Sequence, residues 1–176
     1  GRQLHRHVQL ATEKGAPAVY LADPDIHLDL GGIAKGYAVD RAVDALRAWG
    51  ITDAMVNVGG DLSALGSAPG GDPWRVGIQD PADASAIIGM LDVRDRAVAT
   101  SGDYEQFFRY RGVRYHHLMD PATAAPRQSP AHSVTIEAAS CMDADAAATA
   151  VFGMSDAQAR GVLQARARDA RVVRWA

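Results

Sequence analysis

Two adjacent glycines, Gly31-Gly32, separate a strand-like stretch from a helix-like one, and this junction limits the fold more than any other feature of the chain. Upstream, residues 19–30 read as extended segments broken at Asp23-Pro24-Asp25. Ile26, Leu28 and Leu30 alternate there with His27 and Asp29, the two-residue period of a half-buried strand. Downstream, Val39, Ala42, Val43, Leu46 and Trp49 recur at three- and four-residue steps, so residues 34–49 form a helix with one apolar face. Asp40, Arg41, Asp44 and Arg47 take its wet side, and Gly50 is a natural stop. Residues 54–58 are a short β segment running into Gly59-Gly60-Asp61. The order is therefore strand, double glycine, helix, glycine, strand.

Strands outnumber helices in the remainder. Residues 63–72, rich in Gly, Ser, Ala and Pro, read as a loop, and strands follow at 74–78, 87–93 and 97–100. Residues 107–110 and 114–118 flank Arg111-Gly112 as a hairpin, and 121–130, with three prolines, is another loop. A strand at 133–138, helices at 142–152 and 156–167, and a strand at 172–175 complete the chain. This pattern predicts an α+β fold, a mostly antiparallel β centre with flanking helices. The 176 residues suit one domain, and 48% hydrophobic with 22% charged residues is an ordinary globular balance.

Composition excludes some functions. Eighteen basic against 21 acidic residues give a net charge of −3 with no basic stripe, which argues against nucleic-acid binding. No run approaches the ~20 apolar residues of a membrane span, and residues 1–10 lack the apolar stretch of a signal peptide. The single cysteine, Cys141, excludes an intrachain disulfide and reads as a small buried hydrophobe. The start at Gly1 fits a processed product, an expression cut or a fragment alike. Only Lys14 and Lys35 are lysines, so a lysine inside a motif stands out.

Five stretches carry candidate chemistry. Residues 29–40 place Gly31-Gly32 and Lys35 at a helix start, where unpaired N–H groups, the dipole and an ammonium suit an anion; the plain alternative is a tight turn packing helix on sheet. In the alanine-dense helix around residues 140–150, Asp145 and Thr149 lie four apart on one face, a hard oxygen pair suited to Mg2+. Alternatively, Asp143 and Asp145 serve only the helix start. His116 and His117 point to opposite sides of a strand, so at most one of them faces a site; His117 is the candidate proton carrier or phosphate contact, and Asp120 before Pro121 is otherwise a turn former. Thr100-Ser101-Gly102-Asp103 and Asn57-Val58-Gly59-Gly60-Asp61 offer backbone either to a ligand or to ordinary turns.

Together, residues 29–40, 57–61, 74–81, 100–104, 117–121 and 145–150 resemble one family, the FAD:protein FMN transferases known as the ApbE family, in order and wording over about residues 28–153. The resemblance implies a Mg2+ site built from Asp145, Thr149 and the carbonyl of Gly32, with His117, Asp145 and Lys35 as catalytic residues. It implies an FAD site formed by Gly32, Ala34, Lys35, Asp61, Ser101, Gly102, His117 and Asp120. The implied reaction moves FMN from FAD onto a threonine or serine hydroxyl of an acceptor protein and releases AMP. Hydrolysis of FAD to FMN and AMP, or flavin-nucleotide binding without turnover, are the alternatives.

Family members are usually about twice this length, so residues 1–176 are expected to correspond to the C-terminal part of the family domain, without the N-terminal residues that pack on the flavin ring. An extracytoplasmic setting is also implied. The stretch 120–126 departs from the family at Ala122 and Ala124, where Arg and Gly are usual. Lys35 is expected to meet the FAD phosphates and not a structural ion-pair partner, since a cation in a first helical turn is disfavoured without an anion nearby.

Overall fold

The computed structural model describes residues 4–176. After a 3₁₀ turn (Leu4–His7), β1 (Val8–Glu13) and β2 (Ala16–Leu21) form an exposed hairpin. Helix α1 (Ala34–Ala48) precedes β3 (Ala54–Val58) and β4 (Asp61–Leu65). Two hairpins follow around a central strand: β5 (Trp74–Gln79) with β6 (Ile87–Val93), then β7 (Arg96–Gly102), then β8 (Phe107–Tyr110) with β9 (Val113–His116). The chain ends with β10 (Ser133–Ala138), α2 (Cys141–Val151), α3 (Asp156–Arg166) and β11 (Arg171–Trp175).

Five strands form the main sheet in the order β11-β10-β7-β4-β3, and every pairing is antiparallel. The α+β reading with a largely antiparallel centre is correct. Side-chain alternation splits this sheet into two working faces. Ala99, Val134, Ile136 and Ala138 pack on Ala144, Ala147, Ala148 and Val151 of α2, while Leu62, Ala64 and Val98 pack on Val76 and Val93 of the β5–β6 hairpin.

The small alanines of α2 let it lie close to the sheet and to α1. At the crossing of the two helices, a Cβ on Gly36 would stand 2.3 Å from the backbone oxygen of Cys141, so only glycine fits there. Asp40 of α1 reaches across to accept hydrogen bonds from the N–H groups of Cys141 (2.8 Å) and Met142 (3.0 Å), and the Ser140 hydroxyl accepts from Asp143 N–H. The start of α2 is thus satisfied partly by its own cap and partly by its neighbour. This fixes the rotation of α2, and with it the direction in which Asp145 and Thr149 project.

Three local expectations change. The ladder of β2 ends at Leu21, and residues 26–30 form no strand. Residues 61–65, read partly as loop, are β4: Asp61-Leu62-Ser63-Ala64-Leu65 has turn-like polar members, yet it lies between β3 and β7 and all five residues are buried. The second strand of the 107–118 hairpin stops at His116, because the His116 ring turns inward and accepts from the Leu118 N–H (3.2 Å), ending the strand geometry. Among the described residues, no helix is long and apolar enough to cross a membrane.

Candidate active site

A cleft of about 830 Å³ opens beside the start of α1. Its polar end is lined by Gly31, Gly32, Lys35, Asn57, Gly59 and Gly60, with Asp145 and Thr149 from α2. Apolar side chains also line the cleft: Leu62, Val76, Ile78, Val98, Leu118 and Met119. Ser101, Gly102, Tyr104, Glu105, Gln106 and His117 form a further wall. The volume and the mixture of charged and apolar lining suit a ligand of nucleotide size.

At the polar end, α1 and α2 meet through Gly32. A Cβ at that position would lie 2.8 Å from Thr149 Cγ2 and 3.1 Å from Thr149 Oγ1, so glycine is required for the backbone to approach the threonine. The Thr149 hydroxyl is 3.1 Å from the Ser101 hydroxyl, which brings β7 into the same corner. Asp145 is 3% exposed and its Oδ2 accepts the Gly36 N–H at 3.0 Å. An anion does therefore sit at the N-terminal turn of α1, and it is a carboxylate of the protein.

Lys35 finds a second one. Its ammonium is 2.7 Å from Asp61 Oδ2, and Asp61 is only 1% exposed. Burial pushes the Asp61 carboxyl above its ordinary value, and the hydrogen bond and charge of Lys35 only partly offset this. Burial also acts to lower the Lys35 pKa, but the hydrogen bond and charge of Asp61, with the charges of Asp145 and Glu105, raise it overall. Lys35 stays cationic, half-exposed and facing the cleft. The expectation that Lys35 lacks a structural ion pair is corrected: Asp61, far enough along the chain to escape local reading, supplies one.

The histidines divide between core and cleft. His116 is buried, stacks edge-on against Phe152, accepts from the Leu118 N–H at Nδ1 and so donates from Nε2 to the Arg127 carbonyl (2.9 Å). His117 is exposed, lines the cleft, and makes a long 3.5 Å contact from Nδ1 to the Gln106 carbonyl. His117 is thus free to meet a ligand.

Of the residues expected in the site, Gly32, Lys35, Ser101, Gly102, His117, Asp145 and Thr149 line one cleft. Ala34, Asp61 and Asp120 do not. Ala34 begins α1 on its exposed side, and Asp61 acts on the cleft through Lys35. Asp120 folds back on its own turn, accepting from the N–H groups of Ala122 (2.7 Å) and Thr123 (3.0 Å), which holds its carboxyl below the usual range. Sequence reasoning missed Glu105 and Gln106, whose only signal is their place just after Ser101-Gly102. It also missed Leu62, Val76 and Met119, which no local pattern separates from core.

Asp145, Thr149 and the Gly32 backbone are hard oxygen donors brought to one corner, and this set suits Mg2+. Among the described residues, no group of three or more His, Cys, Asp or Glu side chains could hold a metal ion. Any cation here would take few protein ligands and complete its shell with water and substrate oxygens.

Fold and cleft together define an α+β protein with a nucleotide-sized cleft, lined at one place by a helix start, a lysine and the oxygen-bearing side chains of Asp145 and Thr149. The chain belongs to the ApbE family, whose model matches residues 2–173. It is 38% identical over 152 residues to an FAD:protein FMN transferase of Klebsiella pneumoniae (strain 342), covering 86% of this chain and 46% of that protein. To the FAD:protein FMN transferase of Treponema pallidum (strain Nichols) it is 42% identical over 156 residues, covering 83% of this chain and 43% of that protein. A crystal structure of an ApbE protein from Thermotoga maritima superposes with a TM-score of 0.82 at 37% identity, over 96% of this chain and 53% of that one. The flavin transferase ApbE of Vibrio cholerae gives 0.75 at 36% identity, over 92% and 50%. The chain spans about half the length of these relatives.

Proposed function

We propose that this chain forms the nucleotide and metal half of an FAD:protein FMN transferase, which moves FMN from FAD to a threonine or serine hydroxyl of an acceptor protein and releases AMP. The observation that carries the reading is the meeting of Gly32, Asp145 and Thr149 at the polar end of a cleft that also holds Lys35 and His117. Bound Mg2+ would neutralise charge on the FAD pyrophosphate and on the departing AMP.

The remaining work falls to protein groups. Lys35, kept cationic by Asp61, meets phosphate oxygen from the cleft side. The Asp61 carboxylate fixes the ammonium in place, so less ordering is needed when the substrate arrives. Ser101 holds the Thr149 hydroxyl, and Gly36 holds one Asp145 oxygen, so both oxygen donors are oriented before any ligand binds. His117, on the opposite wall, orients phosphate or carries the proton released by the attacking hydroxyl. Apolar lining residues such as Val76, Ile78, Leu118 and Met119 offer surface to an aromatic ring of the dinucleotide.

Product analysis of the full-length protein with FAD, Mg2+ and candidate acceptor tests the reading. Acceptor carrying FMN, with AMP in solution, supports it. Free FMN with AMP and no modified protein would replace it with an FAD pyrophosphatase, and unchanged FAD with a binding module.

A further inference from the structure

The β8–β9 hairpin carries the strand end that presents His117, yet it forms a two-stranded sheet of its own and β8 is exposed along its length. Such a hairpin has little stability by itself. What fastens it near its turn is Asp103. That residue follows the cleft-lining pair Ser101-Gly102 and precedes the cleft-lining Tyr104, but it does not line the cleft. Its carboxylate, 6% exposed, accepts from Arg114 Nη1 at 2.8 Å and lies 3.0 and 3.1 Å from His132 Nδ1. Its N–H donates to the His132 carbonyl at 3.0 Å. Arg114, on β9, also lies over the Phe107 ring of β8 at 4.5 Å, so one guanidinium grips both strands.

We propose that Asp103 is a positioning residue for the nucleotide site, clamping Arg114 so that the β8–β9 hairpin holds His117 at the mouth of the cleft. The proposal rests on the flavin-nucleotide reading of that cleft. Arg114 and the buried His116 are both on β9, and His117 follows directly at the strand's end and lines the cleft, so a clamp on Arg114 holds the segment that carries His117 without touching ligand. The segment between the clamp and the hairpin, Tyr104-Glu105-Gln106, lines the cleft and is held at both ends by the same contact. Burying a carboxylate is costly without partners, and Arg114 and His132 both converge on this one.

The test compares Asp103→Asn, Arg114→Gln, their double variant and Arg114→Lys in the full-length protein. FAD affinity is read by flavin fluorescence, and backbone order by hydrogen exchange. Both single variants should weaken FAD binding about tenfold, the size of losing one charge-assisted contact. They should speed exchange of the amides of residues 107–117 while those of 133–138 keep their rates. The double variant should be no worse than either single one, and Arg114→Lys, which keeps the charge, should recover part of the loss.

Unchanged hairpin exchange, or equal loosening of 133–138, overturns the clamp, as does additive weakening in the double variant. If Asp103→Asn fails to fold, the two Arg114 variants decide the question alone. Failure of the unsubstituted protein to bind FAD counts against the flavin reading, while the exchange data still judge the clamp. Normal FAD binding by all variants counts against the clamp and leaves the flavin reading standing.

Discussion

The Lys35 ammonium lies 2.7 Å from the Asp61 carboxylate, joining the first turn of α1 to the buried start of β4. Position in the sequence predicts a lysine reserved for substrate phosphate; the structure makes it a cleft-facing cation with a protein anchor. The pair therefore bears on both stability and binding.

Lys35→Met should cost about 1–2 kcal/mol of stability, below the usual cost of breaking a buried pair because the lysine side chain is 42% exposed and screened. The cost should depend on pH. Asp61 already holds its proton more tightly than its ordinary 3.8 because it is buried, and without Lys35 that rise is larger. A carboxyl with a raised folded value loses stability as pH climbs through that value. Denaturant unfolding of Lys35→Met should thus show a larger deficit at neutral pH than in the acid range, and an equal deficit at both would contradict the pair's role.

Asp145→Asn preserves the size of the side chain and an oxygen that can still accept the Gly36 N–H. It should leave ligand-free stability within about 1 kcal/mol and remove the thermal stabilisation that Mg2+ with FAD provides. Asp145→Ala should lose that response and a further 1–3 kcal/mol, roughly, from the unpaired Gly36 N–H. Thermal shift with and without metal separates the two effects.

Gly36→Ala places a methyl 2.3 Å from a backbone oxygen of the neighbouring helix, which no rotamer change relieves. The variant should be destabilised by about 1–3 kcal/mol through helix separation. It should also lose metal response, because the same shift moves the Asp145 anchor. Retention of full stability in equilibrium unfolding would mean the helices cross differently.

Burial, with the charges of Asp61, Asp40 and Asp145, pushes the Cys141 thiol well above its ordinary range. It should resist alkylating reagents in the native protein and react at the rate of unfolding. Mass spectrometry during a timed alkylation checks this; rapid labelling under native conditions would show an open site.

Helix α1 was legible because Val39 and Val43, two of its buried positions, repeat at helical spacing. One of the two histidines is buried and the other lines the cleft, though β9 stops at His116 and strand alternation does not set the direction of His117. Asp145 and Thr149 were legible as one face of a helix. Strand β4 was not, since Asp61 and Ser63 are turn formers by type and only their place inside the sheet makes them strand. Nor were the contacts that orient the site. Asp40 caps α2 from 101 residues away, Asp145 binds Gly36 across 109, and no local pattern encodes a partner at such distance. Asp120 shows the reverse: a motif position that the fold uses for its own turn.

In the proposed function, the corner shared by Gly32, Asp145 and Thr149 is a metal site serving a flavin dinucleotide. Anomalous diffraction from crystals of the full-length protein grown with FAD and Mn2+ in place of Mg2+ tests it most directly. The account predicts a metal peak in coordination contact with an Asp145 carboxylate oxygen, Thr149 Oγ1 and the Gly32 carbonyl, with FAD phosphate oxygens completing its shell and Lys35 beside them. A metal bound elsewhere, or FAD phosphates lying away from this corner, would contradict it.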